Sequence, residues 1–405
     1  MSKVYIVSAK RTAVGSFSGS LSTVHPAKFG SEVVKNMLEE TKVPANAIDE
    51  VIVGNILSAG LGQGIARQVS IGAGIPVEVP AYSLNMVCGS GMKSVMNAYL
   101  GIKANMTNLI IAGGTESMSK APFLLPDKVR SGIKMGGINL KDHMIDDALW
   151  DAFNNYHMGV TAENIVDLYD LTREDQDEFA FNSQSKAIDA VDAGKFKDEI
   201  VPIEVKLRRE TITFDTDEYP NRRTNLEKLG KLRPAFKREG GSVTAGNASG
   251  INDGASFVMV ASEEAVEKYN LKPLVEIIAV GQGGVDPSIM GMGPVPAIKM
   301  ALKNADMKLS ELELLELNEA FAAQSLGVVT ELAKQHDLTK EEIMQRTNVN
   351  GGAIAIGHPV GASGNRILVT LIHEMKKRSN TFGLASLCIG GGMGTAIIVK
   401  NVEEK

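Results

Sequence analysis

Short runs of β-branched and other apolar residues recur along the chain at Val4–Val7, Glu50–Val53, Leu109–Ala112, Ser256–Val260, Leu274–Val280, Leu312–Leu317, Gly383–Leu387 and Thr395–Val399. Several are apolar at every position instead of every second one, as in strands covered by helices on both faces. Segments of helical period lie between them. Met92, Val95, Met96, Tyr99 and Leu100 fall on one helical face, and so do Ile367, Leu368, Leu371, Ile372 and Met375. Strands alternating with helices predict an α/β fold of layered sheets and helices.

The pattern is also repeated. Cys88-Gly-Ser-Gly leads into an amphipathic helix, the strand 108–112 and then Gly113-Gly114-Thr115. Far downstream, Gly361-Ala-Ser-Gly leads into an amphipathic helix, the strand 382–387, then Cys388 and the glycines 390–392. An internal duplication is the economical reading, although a recurring βα unit imitates one. It divides the chain into a first half (1–118 and 239–270), an inserted segment (119–238) and a second half (271–405), with Leu-Lys-Pro at 271–273 as linker. The insertion is richer in charge and poorer in strand signal, and is expected to lie over one half. Thr172 and Asp175 form a capping-box pattern within it. Two packed halves would gather their functional groups where they meet.

A length of 405 residues accommodates such a core, and 44% hydrophobic with 22% charged residues is ordinary for a globular protein. The net charge of −6 argues against a general nucleic-acid binder. No apolar run reaches membrane-spanning length, so no membrane partner is expected. The start, Met-Ser-Lys-Val-Tyr-Ile-Val-Ser, lacks the features of a signal peptide. Two cysteines do not make a secreted disulfide framework, and a reducing cytoplasm is the expected location.

Those two cysteines and a few polar residues are the candidates for chemistry. Cys88 stands where a strand turns into a helix, so the helix dipole and free backbone amides are expected to lower its pKa. A buried structural cysteine fits the same position. His358 sits in the glycine-rich run Gly351-Gly-Ala-Ile-Ala-Ile-Gly-His-Pro-Val-Gly-Ala-Ser-Gly364, as a base for a thiol or as a histidine that only bonds its own turn. Cys388, ahead of Ile389 and Gly390, suits a second acid–base group beside free amides. Asn318 follows a strand directly, where α/β enzymes place functional loops, or simply starts a helix. The spacings of ordinary zinc sites are absent, so no metal is expected.

Taken together, Asn-Met-Val-Cys-Gly-Ser-Gly around Cys88, Asn-Glu-Ala-Phe-Ala from Asn318, the His358 block and Cys-Ile-Gly-Gly-Gly-Met-Gly from Cys388 resemble the four catalytic blocks of thiolases, in family order. Val-Ser-Ala-Lys-Arg-Thr-Ala-Val-Gly near the start and the segment 245–255 match as well, so the resemblance spans essentially the whole chain. It implies the duplicated thiolase fold: two similar βαβ-rich halves in α-β-α-β-α layers with an inserted loop domain for coenzyme A binding and oligomerisation.

The reaction implied is the reversible condensation of two acetyl-CoA to acetoacetyl-CoA and CoA. Coenzyme A is then substrate and carrier, and no separate cofactor is needed. By resemblance Cys88 is the nucleophile, His358 takes its proton, and Cys388 deprotonates the second acetyl group. His358 and a water on Asn318 would hold the second thioester oxygen, and the amides of Cys88 and Gly390 the tetrahedral oxyanion. Tyr156-His157-Met158-Gly159 resembles short-chain biosynthetic members, with His157, Met158 and Phe321 lining the pantetheine and acyl pocket and Ser249 touching pantetheine. Arg222 and Arg223 are candidates for the CoA phosphates, in a stretch that departs from the family's usual sequence. A homotetramer is implied. The alternatives are a longer-chain 3-ketoacyl-CoA thiolase, a decarboxylating ketoacyl synthase, which places histidine where Cys388 stands, and a non-catalytic acyl-CoA-binding protein.

Overall fold

A computed structural model describes residues 3–402; the ends of the two expected halves, 1–2 and 403–405, lie outside the described residues. Its centre is a ten-stranded sheet. Nine strands form the main path: β1 (Val4–Arg11), β2 (Glu50–Gly54), β3 (Ala81–Leu84), β4 (Leu109–Ser117), β5 (Asn252–Ser262), β6 (Val275–Gly284), β7 (Leu314–Leu317), β8 (Phe382–Ile389) and β9 (Met393–Asn401). They lie in the order β7-β8-β9-β6-β1-β5-β4-β2-β3, with the short strand Gly15–Ser16 attached to β5. All eight strand segments expected from the sequence are present, most of them extended at one or both ends. The strand β3 carries only partly apolar residues, Ala-Tyr-Ser-Leu, and has no such signal.

The order is symmetric about the short β6–β1 contact, where Tyr5 pairs Glu276 and Ile6 pairs Val275. Outward from that seam, β1 and β6 match, as do β5 and β9, β4 and β8, and β2 and β7. Each half has two antiparallel pairings and then a parallel one. The counterpart of β3 is reduced to a single parallel bridge between Leu315 and Thr347. The duplication read from the sequence is therefore a duplication of topology.

Helices α1 (Pro26–Thr41) and α2 (Ile65–Gly72) pack outside the first half. In the middle lie α3 (Ser90–Lys103) and, after the insertion's α4 (Met158–Tyr169) and α5 (Arg173–Asp192), the second half follows. There α6 (Pro294–Ala305) and α7 (Ala322–His336) pack outside, and α8 (Val360–Arg378) returns to the middle beside α3. Strand alternation sorts the residues: Ile110, Ala112, Val258 and Val260 face the middle helices, whereas Leu109, Ile111, Phe257 and Met259 face α1. Ile367, Leu368, Leu371, Ile372 and Met375 of α8 are all fully buried. On α3 the buried face is Met92, Val95, Ala98 and Ile102. Leu100 is 51% exposed, contrary to the expected face, because the small Ala98 marks the side that approaches the sheet.

The segment 119–238 does not lie over one half alone. Its hairpin, Ile203–Lys206 with Thr211–Phe214, joins the core of the first half, while α4 packs on α7 and α5 on the short helix Ala353–Ile356 of the second. A fully buried Arg11 on β1 pairs with Glu199 (2.6 Å) and Asp217 (2.7 Å) of this segment, fixing it to the first half. Thr172 and Asp175 form the expected capping box at the start of α5.

Candidate active site

The Cys88 turn is short and tight. Strand β3 ends at Leu84 and α3 begins at Ser90, leaving five residues for a reversal. Val87 takes φ +47°, a left-handed conformation that a β-branched residue adopts only under constraint. The constraint is visible: Asn85 Oδ1 accepts from the Val87 N–H (2.9 Å), and Ser90 Oγ accepts from the Met86 N–H (2.8 Å) while donating to the Val87 carbonyl (2.7 Å). The turn sets buried Cys88 at the N-terminal end of the middle helix α3.

His358 stands in the corresponding turn of the second half, just before α8 and three residues ahead of Gly361, the counterpart of Cys88. The two middle helices approach through glycine: a Cβ on Gly91 would sit 2.9 Å from the Gly361 carbonyl, and one on Gly364 would sit 2.7 Å from the Met92 nitrogen. Their N-terminal ends thus lie side by side. Asn252 Oδ1 accepts from the His358 N–H (2.9 Å), and the ring's Nδ1 is 2.5 Å from Ser363 Oγ, which donates to the Pro359 carbonyl (2.9 Å). Burial, and then the positive charge of Arg366, push the imidazole down to about 4, so it is a neutral base over the physiological range.

Cys388, at the end of β8, is brought to the Cys88 turn by close packing in which a Cβ on Gly89 would collide with Ile389. The backbone N–H groups of Gly390 and of Cys88 itself favour the thiolate of Cys88. These amides do not win. Burial pushes the Cys88 thiol up to about 11, against the expected lowering: desolvation outweighs these two amides. Burial and the neighbouring Cys88 raise the Cys388 thiol further still. Both cysteines are free thiols. Burial thus favours the neutral form of all three groups, two thiols and an uncharged imidazole.

Other expected residues gather at the same place. A Cβ on Gly390 would run into the Met158 methyl and lies near Val87. Met158, Phe321, Ala248, Met290 and Cys388 share one apolar cluster, with Phe236 packed on it. His157 stacks on Phe236 (4.6 Å between centroids), its Nδ1 accepts from Gly159 N–H (3.0 Å), and burial lowers its pKa. Phe236 meets Phe321 edge-on at 6.3 Å. Ser249 is tied by its N–H to the Ala320 carbonyl (2.9 Å), beside this wall. Asn318 is buried, and neither Nδ2 nor Oδ1 has a hydrogen-bond partner among the described residues. It does not start the following helix, which begins at Ala322.

The two arginines stand apart. Arg222 and Arg223 lie in an open cleft of about 550 Å³ with Tyr219, Ala245 and Gly246, and Arg222 is exposed and paired with Asp192 (2.5 Å).

Sequence reasoning missed a second layer. Glu116, fully buried on β4, accepts from Asn55 Nδ2 (2.9 Å) and the N–H groups of Ile56 (3.0 Å), Leu57 (3.1 Å) and Gly361 (3.1 Å), so one carboxylate ties the first half to the start of α8. Asn252, besides holding the His358 backbone, donates to the Gly15 carbonyl (3.0 Å). A carboxylate inside an apolar strand, Gly-Gly-Thr-Glu, was the available signal for Glu116.

Comparison with known proteins agrees along the full length. Residues 4–264 match the family model for the thiolase N-terminal domain, and residues 271–401 that for the thiolase C-terminal domain. An acetyl-CoA acetyltransferase of Syntrophomonas wolfei is 52% identical over 402 residues, covering 98% of this chain and 99% of that protein. The crystal structure of an acetyl-CoA acetyltransferase from Bacillus anthracis superposes with a TM-score of 0.94 at 40% identity, covering 99% of each chain. That of human mitochondrial 3-ketoacyl-CoA thiolase in complex with CoA superposes at 0.92 with 42% identity, covering 99% of this chain and 98% of the other.

Proposed function

The chain belongs to the thiolase family, and on that premise we propose that it is an acetyl-CoA C-acetyltransferase, catalysing the reversible condensation of two acetyl-CoA to acetoacetyl-CoA and CoA through an acyl-cysteine. The observation that carries this is the convergence of Cys88, Cys388 and the Gly390 amide from distant stretches of chain.

In the proposed sequence, the Cys88 thiol passes its proton to His358 as sulfur attacks the thioester carbonyl. The oxyanion accepts from the Cys88 and Gly390 N–H groups, placed where charge develops. The carbon–sulfur bond to CoA breaks, and Cys388 gives its proton to the departing thiolate. Cys88 is now acetylated, His358 protonated and Cys388 a thiolate. That thiolate, strongly basic because it is buried, takes a proton from the methyl group of a second acetyl-CoA. His358 and a water on the unpartnered Asn318 amide hold the enolate oxygen. Carbon attacks acetyl-Cys88, acetoacetyl-CoA leaves, and the Cys88 thiolate recovers its proton from His358. The raised thiols suit this order, since each becomes a strong nucleophile or base only once substrate is present.

The preference for short acyl chains is supported by the bulky wall of Met158, Phe236, Met290 and Phe321. His157 and Ser249 are assigned to pantetheine, and Arg222 and Arg223, in their open cleft, to the CoA phosphates. A homotetramer is supported by the exposed apolar side chains Phe123, Leu125, Met135, Leu140 and Phe153 in the insertion. A reducing cytoplasm is proposed as its place because both sulfurs must stay free thiols. The test is the thiolysis rate against chain length: it should be highest with acetoacetyl-CoA and fall at 3-ketohexanoyl-CoA. A rate that rises with length would favour the longer-chain 3-ketoacyl-CoA reading.

A further inference from the structure

We propose that Ser363 is a positioning residue for the reaction: its hydroxyl accepts from the His358 Nδ1–H, fixing the tautomer whose bare Nε2 is the base for Cys88. This rests on the function proposed above. A neutral imidazole carries one proton, and which nitrogen bears it depends on the partner at the other. The ring's Nδ1 lies 2.5 Å from Ser363 Oγ. A hydroxyl has one proton to give, and the Pro359 carbonyl, 2.9 Å away and four residues back along the helix, can only accept it. A lone pair therefore faces Nδ1, and the ring proton belongs there. Were the hydroxyl proton turned to Nδ1 instead, Nε2 would carry the ring proton and could not receive one from Cys88.

Ser363 has no other evident use. It is fully buried at the start of a helix, and its side chain has these two partners alone among the hydrogen bonds of the described residues. The other side of the loop is held as well, by Asn252 on the His358 N–H, so ring and backbone are both fixed. A hydroxyl also suits the chemistry better than a carboxylate. It orients the ring without a negative charge to stabilise the imidazolium, which must later return its proton to Cys88.

The repeat offers an internal control. Ser90 holds the place of Ser363 in the first half, and its hydroxyl bonds only backbone, at Met86 and Val87. The same serine staples a turn in one half and reaches a catalytic ring in the other.

The test combines a mutant cycle with direct observation of the ring. Ser363→Ala should lower kcat for acetoacetyl-CoA thiolysis on the order of 10–100-fold, with KM for both substrates changed less than about twofold. In a His358→Asn background the same substitution should cost nothing further, because its effect runs through the imidazole. An equal loss in both backgrounds, or no loss from Ser363→Ala alone, overturns the proposal. Long-range proton–nitrogen correlation on ¹⁵N-histidine-labelled wild-type enzyme, assigned with His358→Asn, needs no folded Ser363 variant. It should find the His358 proton on Nδ1; finding it on Nε2 overturns the assignment. Failure of the functional reading itself would show differently, as wild-type enzyme without thiolysis activity.

Discussion

The two turns that feed the middle helices occupy equivalent places in the duplicated fold, yet they are built differently. The first, from Asn85 to Gly89, is five residues long, forces Val87 to positive φ and carries the sulfur. The second runs from Asn348 to Pro359, includes the short helix Ala353–Ile356, takes positive φ at Asn348 (+46°), Gly351 (+79°) and Gly357 (+113°), and carries the imidazole. In the proposed mechanism Cys88 has to face the substrate with amides at its back, which a strained tight turn provides. A base has to present one particular nitrogen, which needs hydrogen bonds to ring and backbone and therefore a longer loop. Duplication supplied the helix ends; the difference between the turns matches the division of labour in the proposed mechanism.

Removing each turn's functional group is the strongest way to break the comparison. Cys88→Ala should lower thiolysis on the order of 10⁴-fold, since no covalent route remains. His358→Ala should cost less, on the order of 10³-fold, because proton transfer is one contribution among several. Steady-state rates with acetoacetyl-CoA and CoA measure both, and a larger loss at His358 would reverse the assigned roles. The pH response sharpens the same contrast. With the Cys88 thiol pushed up to about 11 and His358 down to about 4, neither titrates between pH 7 and 9. Iodoacetamide alkylation of Cys88, followed by peptide mass spectrometry, should then rise about tenfold per pH unit with the thiolate fraction. A rate independent of pH over that range would reveal a pre-formed thiolate–imidazolium pair. The smallest effect belongs to Ser90→Ala, which leaves the Met86 N–H without its partner. Denaturant unfolding should show a loss of about 1–2 kcal/mol with kcat reduced only a few-fold, against the larger activity loss at Ser363.

The apolar strand runs were legible because strands buried on both faces leave no polar alternation to obscure them, and the repeat was legible because Ser-Gly stands near the start of a helix in both halves. The strand β3 was not, since Tyr82 is exposed on the sheet's edge and nothing in Ala-Tyr-Ser-Leu signals burial. Cys88, His358, Cys388 and Asn318 could be singled out because each interrupts or ends a glycine-rich or apolar run. Their electrostatics could not: a position beside a helix terminus suggests a lowered thiol, whereas burial, which depends on the other half of the chain, raises it. Glu116 was invisible for a related reason. Its four donors come from three separate residues after β2 and from the start of α8, so its role exists only once the halves meet.

The account rests on neighbouring Cys88 and Cys388 doing different jobs, and trapping of the acyl-enzyme tests this most directly. Cys388→Ser enzyme incubated with radiolabelled acetyl-CoA should hold the label on the Cys88 peptide and form no acetoacetyl-CoA, while Cys88→Ser enzyme should hold none. Label on any other residue, or acetoacetyl-CoA formed without Cys388, would contradict it.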